Sequence, residues 1–264
     1  MSAPQPSAEL IVDGLTICFG GLTAIEGMSF KVVEGEVLSL IGPNGAGKTS
    51  AFNAITGYIV PDGGTISYRG TRLNGLKPNR IAELGVVRTF QKTSVFMGQT
   101  VLDNVLLGLH LASSQTPLSI ILRLPSVARE ERALKEEARR ILGFVDLDAR
   151  ADQLASALPY GELRLLEVAI ALAARPRLLL LDEPVSGMNP AETASFMATL
   201  ARICALGITI LLVEHDMRMV MGVSDRIVCL NHGRIIASGT PAEIQRNPEV
   251  IRAYLGERYV RAQG

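Results

Sequence analysis

Polar and apolar positions alternate through the first forty residues in short runs cut by glycine. "LIVDGLTICFGG" (10–21) and "MSFKVVEGE" (28–36) mix apolar and polar positions in the manner of strands with one buried face, and each runs into a glycine turn. "VLSLI" (37–41) is apolar almost throughout and predicts a strand buried on both faces. "GPNGAGKTSAFNAITG" (42–57) then has the form of a glycine loop opening a helix that Gly57 closes, and "PDGGTISYRG" (61–70) that of a turn and another strand.

The pattern changes in the middle of the chain. From Val101 to Ser156 helical spacing dominates, most clearly in "SVAREERALKEEARRILGFV" (126–145), whose mixed charges suit a solvated helix face. "QTPLSIILRLP" (115–125) predicts an irregular connector or a short helix ended by Pro125. Beyond Leu158, helix (160–174), strand (177–182), helix (191–206), strand (207–213), helix (217–222) and strand (226–230) follow in turn. Such alternation indicates βα units and a parallel sheet. The expected architecture is a split α/β core with an antiparallel β region near the N-terminus and a helical insertion near 92–157.

Composition narrows the class. Lys plus Arg equals Asp plus Glu at 26 each, which argues against a broad basic face and a nucleic-acid partner. The longest apolar stretch, 164–181, is broken by Arg175, Pro176 and Arg177, so no transmembrane helix is expected. "MSAPQPSAEL" has neither the basic nor the apolar region of a secretory signal. Cys18, Cys204 and Cys229 lack metal-type spacing and stand in apolar runs, which predicts buried, reduced thiols and a cytoplasmic protein. His110 and His232 match no motif and are expected at the surface.

"GPNGAGKT" (42–49) fits G-x-x-x-x-G-K-[ST] and lies between a strand and a helix, as that motif requires. Its glycines let successive N–H groups turn inward on phosphate oxygens, and the helix start adds positive potential. Gly42, Pro43, Asn44, Gly45, Ala46, Gly47, Lys48, Thr49 and Ser50 are the candidate phosphate-binding residues. Lys48 would bridge the β- and γ-phosphates, and Thr49 would offer its hydroxyl to Mg²⁺. In "LLLLDEPVSG" the apolar run puts Asp182 at the carboxyl end of a core strand, where α/β sheets hold ligands. Asp182 would hold Mg²⁺ through its water shell. Strand alternation points Glu183 elsewhere, free to face the γ-phosphate and polarise an attacking water. No N-K-x-D guanine-reading element is present, so ATP is the expected nucleotide.

Phe19, "GPNGAGKT", Gln91, "LPYGE", "LLLLDEP", "SGMN" and "EHD" occur in the order found in ABC-transporter ATP-binding subunits, and the chain resembles that family over about residues 10–240. "RTFQ" at the glutamine, the Tyr-Gly signature and the tail "NPEVIRAYLGE" (247–257) are similar to the ATP-binding subunits of branched-chain amino acid importers. The resemblance implies a single ABC ATPase cassette: a P-loop NTPase core of RecA-like type (about 10–91 and 158–240), a helical subdomain (92–157) and a C-terminal extension (241–264). It also implies that Phe19 stacks on adenine, that Gln91 reaches Mg²⁺ and the attacking water, and that His215 contacts the γ-phosphate.

In the family, the signature turn serves a nucleotide bound to an opposing cassette, where a helix start presents unpaired N–H donors. Tyr160, Gly161 and Glu162 take that role by resemblance. Pro159 stands where the commonest pattern, L-S-G-G-Q, has serine, and it offers neither hydroxyl nor amide proton, which predicts a weaker contact. Asn189 stands where the loop crossing the dimer centre usually has an acid. The partners implied are transmembrane permease subunits and a second cassette, at the cytoplasmic face of the membrane. Val95, Phe96 and Met97 are candidates for the permease-docking cleft. An ABC exporter ATPase, or a soluble ABC protein acting on ribosomes or DNA, would share the same motor residues.

Overall fold

The computed structural model describes residues 8–89, 95–112 and 125–261. The first sheet is antiparallel, with order β2-β1-β4-β5, from β1 (Ala8–Phe19), β2 (Leu22–Val33), β4 (Gly63–Tyr68) and β5 (Thr71–Arg72). The second has order β10-β9-β3-β8-β7-β6, from β3 (Val37–Ile41), β6 (Val86–Arg88), β7 (Leu178–Asp182), β8 (Thr209–Val213), β9 (Arg226–Asn231) and β10 (Arg234–Gly239). Its strands pair in parallel except β10, which returns antiparallel along β9 through the turn at His232 and Gly233.

Every residue of β3, β7 and β8 is buried, as parallel strands covered on both faces require. The period of two divides them between two cores. Leu178 and Leu180 pack toward the antiparallel sheet and α1 (Lys48–Ile55), together with Leu38, Leu40 and Phe52. Leu179 and Leu181 pack toward the helices of the other face, together with Ile210 and Leu212. Those helices are α3 (Val101–Ala112), α4 (Pro125–Phe144), α5 (Tyr160–Ala173) and α6 (Pro190–Ala205), numbered after the short α2 (Pro78–Glu83). α7 (Met217–Val223), α8 (Pro241–Arg246) and α9 (Pro248–Arg261) complete the chain, and a third cluster built on Val220, Ile227, Ile244 and Val250 joins them to β9.

The α/β class and the order of elements after Leu158 follow the sequence expectation to within a residue or two at most boundaries. Three features differ. The strand expected at 28–36 starts earlier, at Leu22, because β1 and β2 form one long hairpin whose first half carries exposed residues on both faces. Pro125 opens α4, a position where its fixed φ suits a helix start, and residues 113–124 lie outside the described residues. Cys18 is exposed, near the end of β1 and past the last residue paired with β4; Cys204 is half-buried and Cys229 buried. No helix among the described residues is long and apolar enough to cross a membrane.

One polar cluster ties the two sheets together. The Glu9 carboxylate, on β1, is 2% exposed. It accepts hydrogen bonds from the Tyr68 hydroxyl (2.8 Å), from Arg69 Nε (2.8 Å) and from Thr209 Oγ1 at the start of β8. Thr209 Oγ1 in turn accepts from the Gly35 amide at 2.9 Å. Burial, with the Glu9 carboxylate beside it, pushes the Tyr68 hydroxyl far above the ordinary phenol range, so it stays a donor at any working pH. Replacing it strands part of a buried carboxylate. Tyr68→Phe is expected to lower unfolding stability by about 2 kcal/mol in urea denaturation, the range of a hydrogen bond to a charged group. A loss below about 0.5 kcal/mol would show that the cluster contributes nothing to the join.

Candidate active site

The loop after β3 is shaped by close contacts that only glycine permits. Gly42, at φ 151°, lies where a Cβ would come within 2.2 Å of the Leu230 carbonyl oxygen on β9. Gly47, at φ 102°, would put a Cβ 2.8 Å from the Ala24 carbonyl oxygen on β2. The loop is thus wedged between both sheets. Ala46 is buried and accepts the Gly233 amide at 3.1 Å, while Asn44 and Gly45 remain at the surface. Lys48 is 7% exposed and curls back, its Nζ 2.5 Å from the Gly42 and 2.9 Å from the Pro43 carbonyl oxygen. α1 starts at that lysine with Gly47 as its cap, no capping side chain and no acid in its first turn, which contains Thr49 and Ser50. A helix N-terminus left in this state favours an anion.

Strand register brings the acids to the same edge. Val213 pairs with Leu40 on one side and with Asp182 on the other, so the loop after Ile41 and the end of β7 emerge together. Asp182 follows the alternation onto the α1 side of the sheet and is 4% exposed. Its Oδ2 accepts from Arg88 Nη2 at 2.6 Å; its buried Oδ1 has no hydrogen-bond partner among the described residues. Glu183 leaves the strand with φ 48°, a left-handed turn held by its amide on the Val213 carbonyl at 2.8 Å. Its Oε1 lies 4.0 Å from His215 Nδ1. Gly42, Pro43, Asn44, Glu183 and His215 line one cleft of about 1120 Å³ that extends to Met217, Arg218 and the C-terminal helices.

Glu214 was not among the sequence candidates, yet it organises this edge. Fully buried, it accepts from the amides of Val185 (3.1 Å), His215 (2.7 Å) and Asp216 (3.1 Å), joining the loop after Glu183 to the turn that carries the histidine. The signal available was an acid at the end of a wholly apolar strand. Arg88 and Asn53 were also missed; Arg88 Nη1 donates to Asn53 Oδ1 at 2.7 Å. The Cys229 thiol, in the strand beside the loop, is pushed up to about 11 by burial despite the opposing charge of Lys48, and so stays protonated.

The remaining candidates lie apart from this cleft or outside the description. Phe19, at the end of β1, is 48% exposed, available for stacking rather than buried in the core. Gln91 lies outside the described residues. Phe96 and Met97 are exposed, whereas Val95 is buried. Among the described residues lining the cleft none comes from 159–162. Pro159 caps α5 without a side-chain hydrogen bond, and the Tyr160 hydroxyl donates to the Ser186 carbonyl at 2.8 Å. Gly161 is buried against Glu192, and Glu162 pairs with Arg150 at 3.3 Å. Asn189 caps α6: its Oδ1 accepts from the amides of Ala191 and Glu192, and Glu192 accepts from the Asn189 amide in return.

Comparison with known proteins defines the class. Residues 25–186 match the family model described as ABC transporter, and residues 234–260 match that of the branched-chain amino acid ATP-binding cassette transporter. The chain belongs to the ABC-transporter ATP-binding cassette family; it binds nucleotide and is an ATPase. It is 45% identical over 249 residues to the high-affinity branched-chain amino acid transport ATP-binding protein BraF of Pseudomonas aeruginosa, with 94% of this chain and 98% of that protein covered. The corresponding protein LivG of Escherichia coli gives the same identity and coverage. A solved nucleotide-free ATP-binding cassette from an ABC transporter superposes with a TM-score of 0.82 at 30% identity, covering 94% of this chain and 99% of that one. The ADP conformation of MJ1267, an ATP-binding cassette of an ABC transporter, gives 0.83 at 30%, covering 95% and 99%.

The capping geometry at Asn189 gives a structural reason for a short side chain with an acceptor oxygen there. Asn189→Ala should cost about 1 kcal/mol of unfolding stability, and Asn189→Asp less than about 0.5, because aspartate caps a helix equally well. Equal losses for the two in denaturant titrations would show that the side-chain cap contributes nothing.

Proposed function

We propose that this chain is the ATP-binding and hydrolysing subunit of an importer for branched-chain amino acids or related small polar solutes, driving transport through separate membrane subunits. The observation that carries this is the end-to-end likeness to BraF and LivG, which includes the C-terminal 234–260 segment. The chain would work at the cytoplasmic face of the membrane, held there by permease subunits, with a second cassette opposite it.

The residues fit the task. The amides of the 42–47 loop and the α1 start would hold the phosphates, and Lys48 would exchange the Gly42 and Pro43 carbonyls for the β- and γ-phosphate oxygens. Thr49 and Asp182 would hold Mg²⁺, joined by Gln91 on the family resemblance alone; the buried, unpartnered Oδ1 of Asp182 is the atom that suits its water shell. When bound, Mg²⁺ offsets the charge gathering on the phosphate oxygens.

Glu183 orients a water and takes its proton as the water oxygen bonds to the γ-phosphorus and the bond to the β–γ bridging oxygen breaks. His215, beside Glu183, donates to a γ-phosphate oxygen, and Glu214 holds the turn that presents it. Phe19 stacks on adenine. Tyr160, Gly161 and Glu162 serve the nucleotide of the opposing cassette.

Two substitutions test these roles. Lys48→Ala should weaken ATP binding roughly a hundredfold through lost charge-assisted hydrogen bonds, as measured by fluorescent-nucleotide titration. Unchanged affinity would overturn the phosphate assignment. Glu183→Gln should keep ATP bound while turnover falls by about 10²–10⁴, the usual worth of a general base. With the permeases in proteoliposomes, both variants should abolish leucine uptake. Uptake that persisted would refute the motor role, and transport of other solutes but no branched-chain amino acid would refute the substrate class.

A further inference from the structure

The arginine of "RTFQ" has surroundings unusual for an arginine. Arg88 ends β6, three residues before Gln91, and its side chain is only 9% exposed. The guanidinium lies over the Phe52 ring, 5.5 Å from the centroid, with Nη1 on Asn53 and Nη2 on Asp182 at 2.7 and 2.6 Å. Nε has no hydrogen-bond partner among the described residues. Asn53 and Thr49 are four residues apart on α1, so they share one face of that helix. One guanidinium therefore touches the helix that carries Thr49 and the acid proposed to share its metal.

A buried ion pair loses much of what it gains to desolvation, so stability alone is a weak reason for placing one here. Charge at the phosphate cradle is a stronger one. The Asp182 side chain is 0% exposed, and unpaired at the sheet edge where the phosphate loop emerges it would repel an incoming polyphosphate with little solvent screening. Only Oδ2 is engaged by Arg88; Oδ1 is left for a different partner.

We propose that Arg88 is a positioning residue and the resident counter-charge of the metal site: it neutralises Asp182 before Mg²⁺ and nucleotide arrive, and fixes Oδ2 so that Oδ1 faces the ion's water shell. This rests on Asp182 serving Mg²⁺, as proposed above. Without Arg88, metal-free nucleotide meets an uncompensated carboxylate, and binding depends far more heavily on Mg²⁺. A purely structural arginine would instead affect binding equally with and without the metal.

The test is the affinity of a non-hydrolysable ATP analogue for the intact chain, in EDTA and in saturating Mg²⁺. Arg88→Met should weaken the EDTA affinity about tenfold and the Mg²⁺ affinity much less, so the enhancement by Mg²⁺ grows about tenfold. Arg88→Lys, which keeps the charge, should retain the wild-type enhancement. Arg88→Met with Asp182→Asn, which removes both charges, should recover EDTA affinity to within about threefold of wild type. Equal weakening in both conditions, an unchanged enhancement, or no recovery in the double variant would each overturn the inference. Asp182→Asn alone separates the two levels. If it leaves the Mg²⁺ enhancement intact, the metal role of Asp182 fails and Arg88 with it. If it abolishes the enhancement while Arg88→Met behaves as wild type, only the Arg88 inference fails.

Discussion

The site depends on the register of three parallel strands. β3, β8 and β7 are hydrogen-bonded so that Leu40, Val213 and Asp182 lie in one row. Everything beyond that row leaves the sheet at the same edge: the glycine loop, the Glu214–His215 turn and the Asp182–Glu183 pair. A slip of one residue would reverse every side chain on the shifted strand. The strands resist it because both faces are buried, with odd and even leucines of β7 committed to different cores. Packing of apolar residues that never meet a ligand is what brings the charged groups together.

The edge itself is finished by polar groups with few alternatives. Glycine is required at 42 and 47 because backbone oxygens from β9 and β2 occupy the space a Cβ would take. Glu214 spends its buried carboxylate on three backbone amides, which shapes the loop after Glu183 without entering the chemistry. Farther off, Glu9 binds the antiparallel sheet to β8. That join matters because the sheet carries Phe19 at its far end and supplies the Ala24 carbonyl against which Gly47 is wedged.

Much of this was legible in the chain itself. "GPNGAGKT" and "LLLLDEP" each combine local chemistry with an apolar context that admits one placement, and alternation along β7 puts Asp182 on the face of Leu178 and Leu180, whereas Glu183 is turned away by its own left-handed backbone at the strand's end and not by alternation. What escaped was long-range. The role of Arg88 depends on α1 and β7 meeting β6, and no spacing within β6 reveals that. Glu214 looks like a polar strand end until the amides of a loop distant in sequence converge on it. Cys18 stands among apolar residues but near the end of β1, past the last residue paired with β4, so local composition misjudged its exposure. Asn189 seemed a departure in charge, whereas its surroundings make it a helix cap.

Tyr160 has a wider consequence. Its hydroxyl holds the Ser186 carbonyl and accepts from Arg164 at 2.6 Å, while its ring lies against Gly187, where a Cβ would meet it at 3.3 Å. The first turn of α5 and the segment just downstream of Glu183 are thereby yoked within a single polypeptide. Neither can shift without breaking these contacts or carrying the other with it, so one phenol fixes where a helix start stands relative to the turn that follows β7.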